Sequence, residues 1–284
     1  MTVLVTGATG RVGSRLVPRL LRQLGSVRVL VRDPDRASPL VAVGAEPVVG
    51  DVTDSSVLAQ AVKGASSVVH LATLFRPGPE IEAVNFSATV GLAQACVEAG
   101  VGRFVYVSTN QVYGPGRGRP AVETDEPLPD RPYSSTKAAA ERSLLSLCPA
   151  GLGLRILRPP VIYGDGDPKL RELLRFLGGP PHKRIQLVHH ADVAQAVLLA
   201  LRAPGVDGEI FNVGDDAPVT TYELQRLDGS SEPSPSSPSS SASTASTALD
   251  DPWESIIDSS KIRRLLGFRP IFPSMYSAAD AGAL

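Results

Sequence analysis

The chain has 284 residues, of which 43% are apolar, and a formal net charge of −1 at pH 7. This length accommodates one large domain or two small ones with a substantial hydrophobic core. The net charge is near neutral and there is no basic block, so nothing indicates a nucleic-acid partner. No apolar run is long enough to cross a membrane.

The first predicted strand begins almost at once, at Val3-Leu4-Val5. We therefore expect no signal peptide. The two cysteines, Cys96 and Cys148, are too few for a disulfide framework. Together these features favour a reducing, cytoplasmic location.

A glycine-rich turn follows this strand, in the segment Thr6-Gly7-Ala8-Thr9-Gly10-Arg11-Val12-Gly13. Apolar residues then recur at helical spacing over 11–24, so the turn lies between a strand and a helix. Gly7 permits a tight turn, Gly10 lets the backbone approach a pyrophosphate, and Gly13 lets the helix pack closely on the strand. The free N–H groups at the start of the helix would then face the phosphates.

The spacing of these glycines, preceded by Thr6, resembles the short-chain dehydrogenase/reductase superfamily. The resemblance implies a bound NAD(P) and no metal. We expect the cofactor to contact residues along the turn and at the ends of several strands: Gly7, Thr9, Gly10, Arg11, Val12, Arg32, Asp51, Val52, Leu71, Ala72, Tyr133, Lys137 and Pro160.

Strands and helices alternate along the first half of the chain, which favours a doubly wound parallel sheet, the Rossmann α/β fold. The expected strands are 27–31, 46–49, 66–71, 104–108 and 154–157, and the expected helices are 55–62, 81–99 and 134–147. Residues 1–158 would thus form the NAD(P)-binding core with the catalytic helix.

Residues 159–284 are expected to form mostly a small C-terminal substrate-binding lobe, interleaved with the core by elements near 185–201. A helix is predicted at 169–177 and a strand at 185–188. Residues 230–248 are almost entirely Ser, Pro, Ala and Thr, a composition that predicts a flexible surface insert.

Arg32 directly follows the second strand and precedes Asp33. In dinucleotide folds an acidic residue here binds a ribose 2′-hydroxyl, and an arginine accommodates a 2′-phosphate. With Arg11 and Arg36 near in sequence, the pattern favours NADP(H) over NAD(H). The alternative is that Arg32 is a solvated strand end.

Tyr133 and Lys137 lie four positions apart at the start of a predicted helix, so the phenol and the ammonium share a helix face. A neighbouring ammonium and a cationic nicotinamide favour the phenolate, which would lower the pKa of Tyr133 and let it exchange a proton nearer neutral pH. This Tyr-x-x-x-Lys pair also matches the position that the superfamily gives to its catalytic pair.

The segment around Thr109, followed by Val112-Tyr113-Gly114, resembles the extended branch of the superfamily. This branch places a catalytic serine or threonine four residues before the tyrosine of Val-Tyr-Gly. The resemblance assigns Thr109 to orienting the substrate oxygen, with Ser108 as the second choice. His70 is interpreted as a hydrogen-bonded core histidine.

Two departures from the extended family narrow the chemistry. Its sugar-nucleotide dehydratases carry Thr-Asp-Glu where this chain has Thr109-Asn110-Gln111, so the acid and base for eliminating water are missing. Its nucleotide-sugar enzymes carry an asparagine at the position of Val161. The resemblance otherwise implies an oxidoreductase that interconverts a secondary alcohol and a ketone on a sugar or other small metabolite.

Two alternatives remain open at the sequence level. One is an epimerase that works through a transient ketone on a sugar, and the other is a non-catalytic regulator that senses NAD(P). The resemblance also implies a homodimer that pairs through the helices predicted at 81–99 and 134–147.

Overall fold

The computed structural model describes residues 2–168, 170, 172, 183–227 and 251–284. The elements in chain order are β1 (Val3–Thr6), α1 (Arg11–Leu24), β2 (Val27–Val31), α2 (Pro34–Ala42), β3 (Glu46–Val49), α3 (Ser55–Val62), β4 (Ser67–His70), a π-helical turn (Ala83–Ser87), α4 (Ala88–Glu98), β5 (Arg103–Val107), a 3-10 turn (Asn110–Tyr113), α5 (Pro132–Ser146), a 3-10 turn (Cys148–Ala150), β6 (Leu154–Arg158), β7 (Val161–Tyr163), β8 (Arg184–Ile185), β9 (Leu187–His189), α6 (His190–Arg202), β10 (Glu209–Asn212), β11 (Val219–Thr220), α7 (Thr221–Leu227), α8 (Ser260–Leu266) and α9 (Met275–Asp280).

Seven parallel strands form the central sheet, in the order β10-β6-β5-β4-β1-β2-β3. This confirms the predicted doubly wound α/β fold. The strand order reverses at β1, which pairs with β4 on one side and β2 on the other. Ligands of such sheets bind in the crevice outside the carboxyl ends of the strands at this reversal. The crevice is therefore where the glycine-rich turn and the segment after β4 meet.

Alternation of side chains along the strands builds a core on each side of the sheet. On one side Val3, Val5 and Val29 pack with apolar residues of α1 and α6. On the other side Leu4 and Leu30 pack with residues of α3, α4 and α5. Both faces are covered by helices, as a parallel sheet requires.

The later part of the chain adds to the core and also forms two small sheets. β10 pairs with β6 at the edge of the central sheet, while β7 pairs with β9 and β8 with β11. The prediction of a single strand at 185–188 is therefore wrong, because the structure divides this segment. It is divided at Gln186, whose Nε2 donates to the backbone and side chain of Asp215, so β8 and β9 take different partners.

The helix predicted at 81–99 is interrupted near its start by the π-helical turn Ala83–Ser87. Within it, the backbone carbonyl of Asn85 accepts a hydrogen bond from the Thr89 hydroxyl at 2.9 Å. Most of the helix predicted at 169–177 and the whole Ser/Pro-rich stretch 230–248 lie outside the described residues. In the described ranges, no helix is long and apolar enough to cross a membrane.

Candidate active site

The glycine-rich turn closes tightly against the segment that follows β4. Gly7 has a φ of +69°, and a Cβ placed on it would lie 2.6 Å from the backbone nitrogen of Ala72. A Cβ on Gly13 would lie 2.3 Å from the carbonyl oxygen of Gly7. Both positions therefore require glycine, for the turn and for the packing of α1 respectively.

The start of α1 differs from those of the two helices that follow it. Asp33 caps α2 and Asp54 caps α3 by accepting backbone hydrogen bonds, but no side chain caps α1 and its first turn has no acidic residue. The N-cap is Gly10, so no side chain covers the N–H groups of Arg11 and Val12. A helix start of this kind is a fitting site for the pyrophosphate of a dinucleotide.

Arg32 and Asp51 lie together at the ends of neighbouring strands, with Arg32 Nη1 3.8 Å from Asp51 Oδ2. Two hydrogen bonds from Thr53 fix the other oxygen of Asp51 and, with Arg32, lower the pKa of this carboxyl. Asp33 is occupied in capping α2. Arg32, whose side chain is 66% exposed, is therefore the charged side chain after β2 that a bound cofactor can contact.

The side chain of Arg11 is held by two carboxylates. Arg11 is paired with Asp167 at 3.1 Å and with Glu172 at 2.7 Å. Arg36 instead reaches the glycine-rich turn, where its Nη2 donates to the carbonyl of Thr9 at 3.4 Å. A phosphate bound between Arg11 and Arg32 stays a prediction, and Arg36 is a further guanidinium at the glycine-rich turn.

The remaining predicted cofactor contacts lie around the same crevice. Leu71 and Ala72 continue from β4, where the backbone nitrogen of Leu71 donates to the carbonyl of Thr6. Val52 is buried beneath the β2–β3 edge with Leu30. Pro160 follows β6, and its place beside the nicotinamide stays a prediction.

Lys137 is buried on α5 at the carboxyl end of β5. Its Nζ donates to the carbonyl oxygen of Val107 at 2.8 Å and lies 4.4 Å from the ring centre of Tyr106. Burial lowers the pKa of Lys137 to about 7, while the carboxylate of Glu141 opposes that shift. The lysine is thus held against the strand that leads to Thr109.

Tyr133 lies one helical turn before Lys137, on the same side of α5. Burial raises its pKa to about 12, against a smaller opposing effect of a hydrogen bond with Thr73. Lys137 Nζ donates to the Val107 carbonyl, and the predicted lowering of the Tyr133 pKa by the lysine and a cationic nicotinamide stays a prediction.

Thr109 follows β5 and begins the 3-10 turn that carries the Val-Tyr-Gly segment. Its hydroxyl accepts a hydrogen bond from the backbone nitrogen of Gln111 at 3.2 Å. The next backbone nitrogen, that of Asn110, donates to the carbonyl of Pro159 at 2.9 Å, which joins this turn to the segment after β6. Ser108 precedes it with a buried hydroxyl that has no partner within the described residues.

Asn85 is a site residue that the sequence interpretation missed. It is 1% exposed, and its side-chain amide bonds both backbone groups of Leu74 at 2.7 and 2.8 Å and the hydroxyl of Thr136 at 3.2 Å. It thereby joins the segment after β4 to α5. Its sequence signal is weak, a polar residue between Val84 and Phe86.

A buried ionic network packs against α5, the helix that carries Tyr133 and Lys137. Glu141, one turn after Lys137, pairs with Arg158 at 2.5 Å, and both side chains are 2% exposed. The guanidinium of Arg158 lies 4.7 Å from the ring centre of Tyr113, whose hydroxyl donates to Asn212 at 2.7 Å. α5, β6 and β10 are thus fixed relative to each other.

His70 has the structural role that the sequence predicted. It is completely buried, its Nδ1 lies 2.6 Å from the hydroxyl of Thr6, and its Nε2 lies 2.8 Å from that of Thr89. Burial, followed by the charge of Lys137, lowers its pKa to about 3. Within the ranges that the structure covers, no cluster of His, Cys, Asp and Glu could hold a metal.

Known structures share this architecture along nearly all of the chain. The dTDP-glucose 4,6-dehydratase DesIV from Streptomyces venezuelae, solved with NAD, has a TM-score of 0.80 and 27% identity and covers 99% of this chain and 95% of its own. MoeE5, solved with UDP-glucuronic acid and NAD, has a TM-score of 0.79 and 29% identity and covers 99% and 97%.

Curated relatives and a family model agree with these structures. A 4-hydroxy-2-methyl-3-oxo-4-farnesyl-3,4-dihydroquinoline-1-oxide ketoreductase from Stigmatella aurantiaca is 32% identical over 240 residues, 77% of this chain and 70% of that protein. Short-chain dehydrogenase/reductase family 42E member 1 from Mus musculus is 32% identical over 266 residues. The match covers 79% of this chain and 66% of that relative. The model of the NAD dependent epimerase/dehydratase family matches residues 3–214. The chain therefore belongs to the NAD-dependent epimerase/dehydratase family and is an enzyme of the extended short-chain dehydrogenase/reductase type.

Proposed function

We propose that this enzyme interconverts a ketone and a secondary alcohol on a small metabolite, with NADP(H) preferred over NAD(H). The observation that carries the proposal is the placement of Tyr133 and Lys137 one helical turn apart on α5, with Lys137 bonded to the end of β5, in a sheet whose β1 leads to the uncapped start of α1. When bound, the nicotinamide supplies or accepts the hydride.

The roles of the protein side chains follow from their positions. Tyr133 donates its proton to the carbonyl oxygen during reduction and removes it during oxidation. Lys137 would hold the nicotinamide ribose, and in its protonated form it would favour the phenolate of Tyr133. Thr109 donates a hydrogen bond to the substrate oxygen, where negative charge develops.

The cofactor preference rests on Arg32. The carboxylate that would bind a ribose 2′-hydroxyl, Asp33, caps α2 instead. Arg32 and Arg36 lie on this side of the glycine-rich turn, and their guanidinium groups pair well with a phosphate. We therefore assign the 2′-phosphate of NADP(H) to Arg32, with Arg36 beside it.

Residues 1–158 would hold the cofactor and residues 159–284 mostly the substrate. We further propose a homodimer formed through α4 and α5, and light scattering at micromolar concentration should give twice the chain mass. A monomeric mass would reject this assembly. Both cysteines are free thiols, which supports the reducing cytoplasm as the compartment.

The test is turnover of a carbonyl panel with NADPH and NADH, monitored through cofactor absorbance. We expect stoichiometric NADPH oxidation and an alcohol product. An epimerase would instead invert a hydroxyl-bearing carbon with no net change in cofactor, and a regulator would bind cofactor without turnover.

A further inference from the structure

Phe75 lies in the segment after β4, with its ring against that of Tyr133. The ring centres are 4.9 Å apart and the planes are tilted by 57°, within the geometry that aromatic pairs prefer. Phe75 nevertheless remains 54% exposed. A large apolar surface is thus presented beside the phenol that the substrate oxygen must reach.

The position of this ring is fixed by the protein. Asn85 binds the backbone N–H and carbonyl of Leu74, the residue directly before Phe75, at 2.7 and 2.8 Å. The same amide donates to Thr136 on α5, at 3.2 Å. Since the backbone is already ordered, little conformational entropy is lost when a ligand packs on the ring.

The segment after β6 is also apolar where nucleotide-sugar enzymes of this type carry an asparagine. Val161 begins β7 at that position and packs against the cluster that contains Tyr163 and Leu187. It can neither donate nor accept a hydrogen bond from its side chain. At this position the chain thus has an apolar side chain where those enzymes have a polar partner for the nucleotide.

We propose that Phe75 determines substrate specificity by packing on a ring of the substrate, and that the substrate is an apolar, ring-bearing ketone or alcohol rather than a sugar nucleotide. This inference rests on the proposed hydride-transfer function. It concerns binding, which can be measured separately from turnover.

The binding test uses the protein saturated with NADP⁺, because a ketone and the oxidised cofactor cannot react. Acetophenone, its saturated analogue cyclohexyl methyl ketone, dihydroxyacetone and UDP-glucose are each titrated by ligand-observed NMR. We expect acetophenone to bind most tightly. The variant Phe75→Ala should weaken its binding by about 5- to 20-fold, and Phe75→Leu should weaken it less.

The controls separate a local effect from a damaged fold. Affinity for NADP⁺ and the melting temperature should be unchanged in Phe75→Ala, and Leu265→Ala, an exposed apolar residue on α8, should leave acetophenone binding unchanged. Tighter binding of UDP-glucose, no binding of acetophenone, or equal acetophenone affinity in wild type and Phe75→Ala would each overturn the inference. Phe75-dependent binding without turnover of any ketone would instead reject the proposed function alone.

Discussion

Lys137 donates a 2.8 Å hydrogen bond to the carbonyl oxygen of Val107, the last residue of β5. This bond joins the helix that carries Tyr133 to the strand that leads into Thr109. The three predicted catalytic residues are therefore positioned around one strand end, although they come from two separate segments of the chain.

The burial of Lys137 predicts a pH-dependent stability of the protein without cofactor. The pKa is lowered from 10.5 to about 7 in the folded state, so between these values the unfolded chain binds a proton that the folded protein lacks. Stability should therefore rise with pH across this window, by at most about 1.4 kcal/mol per pH unit. Urea unfolding of wild type and Lys137→Met at pH 7 to 9.5 measures this contribution as their difference.

The exposed Lys63 provides the control for that experiment, since Lys63→Met should track the wild type at every pH. A difference between wild type and Lys137→Met that stays constant or falls with rising pH would contradict the burial of an uncharged lysine.

Tyr133→Phe should lower kcat by about 10²- to 10⁴-fold, because the ring remains while the proton donor is lost. The dissociation constant of NADPH should change little. The matched variant Tyr222→Phe, at an exposed tyrosine of α7, should keep full activity. Undiminished turnover in Tyr133→Phe would refute the assigned role.

Arg32→Ala should weaken NADPH binding by about 10- to 100-fold, the range expected for losing hydrogen bonds to a charged group. NADH affinity should hardly change, since NADH has no 2′-phosphate. Fluorescence titration of both cofactors measures the ratio of the two affinities. Arg22→Ala is the control, because Arg22 lies in the last turn of α1, at the end away from the glycine-rich turn. Equal affinity of the wild type for NADPH and NADH would disprove the preference.

Glu141→Gln should destabilise the protein by about 3–5 kcal/mol, because Arg158 would remain buried without its charge partner. Glu46→Gln breaks the 3.5 Å pair with Arg28, in which the Glu46 side chain is 60% exposed. That control should cost about 0–1 kcal/mol. Similar unfolding free energies for the two variants in urea would show that the Glu141–Arg158 pair is not a strong support of α5.

The sheet could be predicted where local signals are strong. β2 and β3 match their predicted ranges, since short apolar runs are bounded there by turns. α2 was not predicted, although Asp33-Pro34 is a recognisable helix start. The division between β8 and β9 depends on Asp215, which lies far from Gln186 in sequence, so no local pattern could reveal it.

In the candidate site, too, only the features that depend on local sequence could be predicted. Tyr133 and Lys137 were identified because four-residue spacing on a helix is a local property. The partners of Arg11 and the amide bonds of Asn85 arise from tertiary packing across loops. The pKa of Tyr133 likewise depends on burial, which sequence spacing does not determine.

The central claim, reversible hydride transfer to a ketone, is tested most directly with NADPH carrying deuterium at C4 of the nicotinamide, on each face in turn. Mass spectrometry of the product should find deuterium on the carbinol carbon with one labelled face and none with the other. An unlabelled alcohol from both forms, or a dehydrated product, would contradict the account.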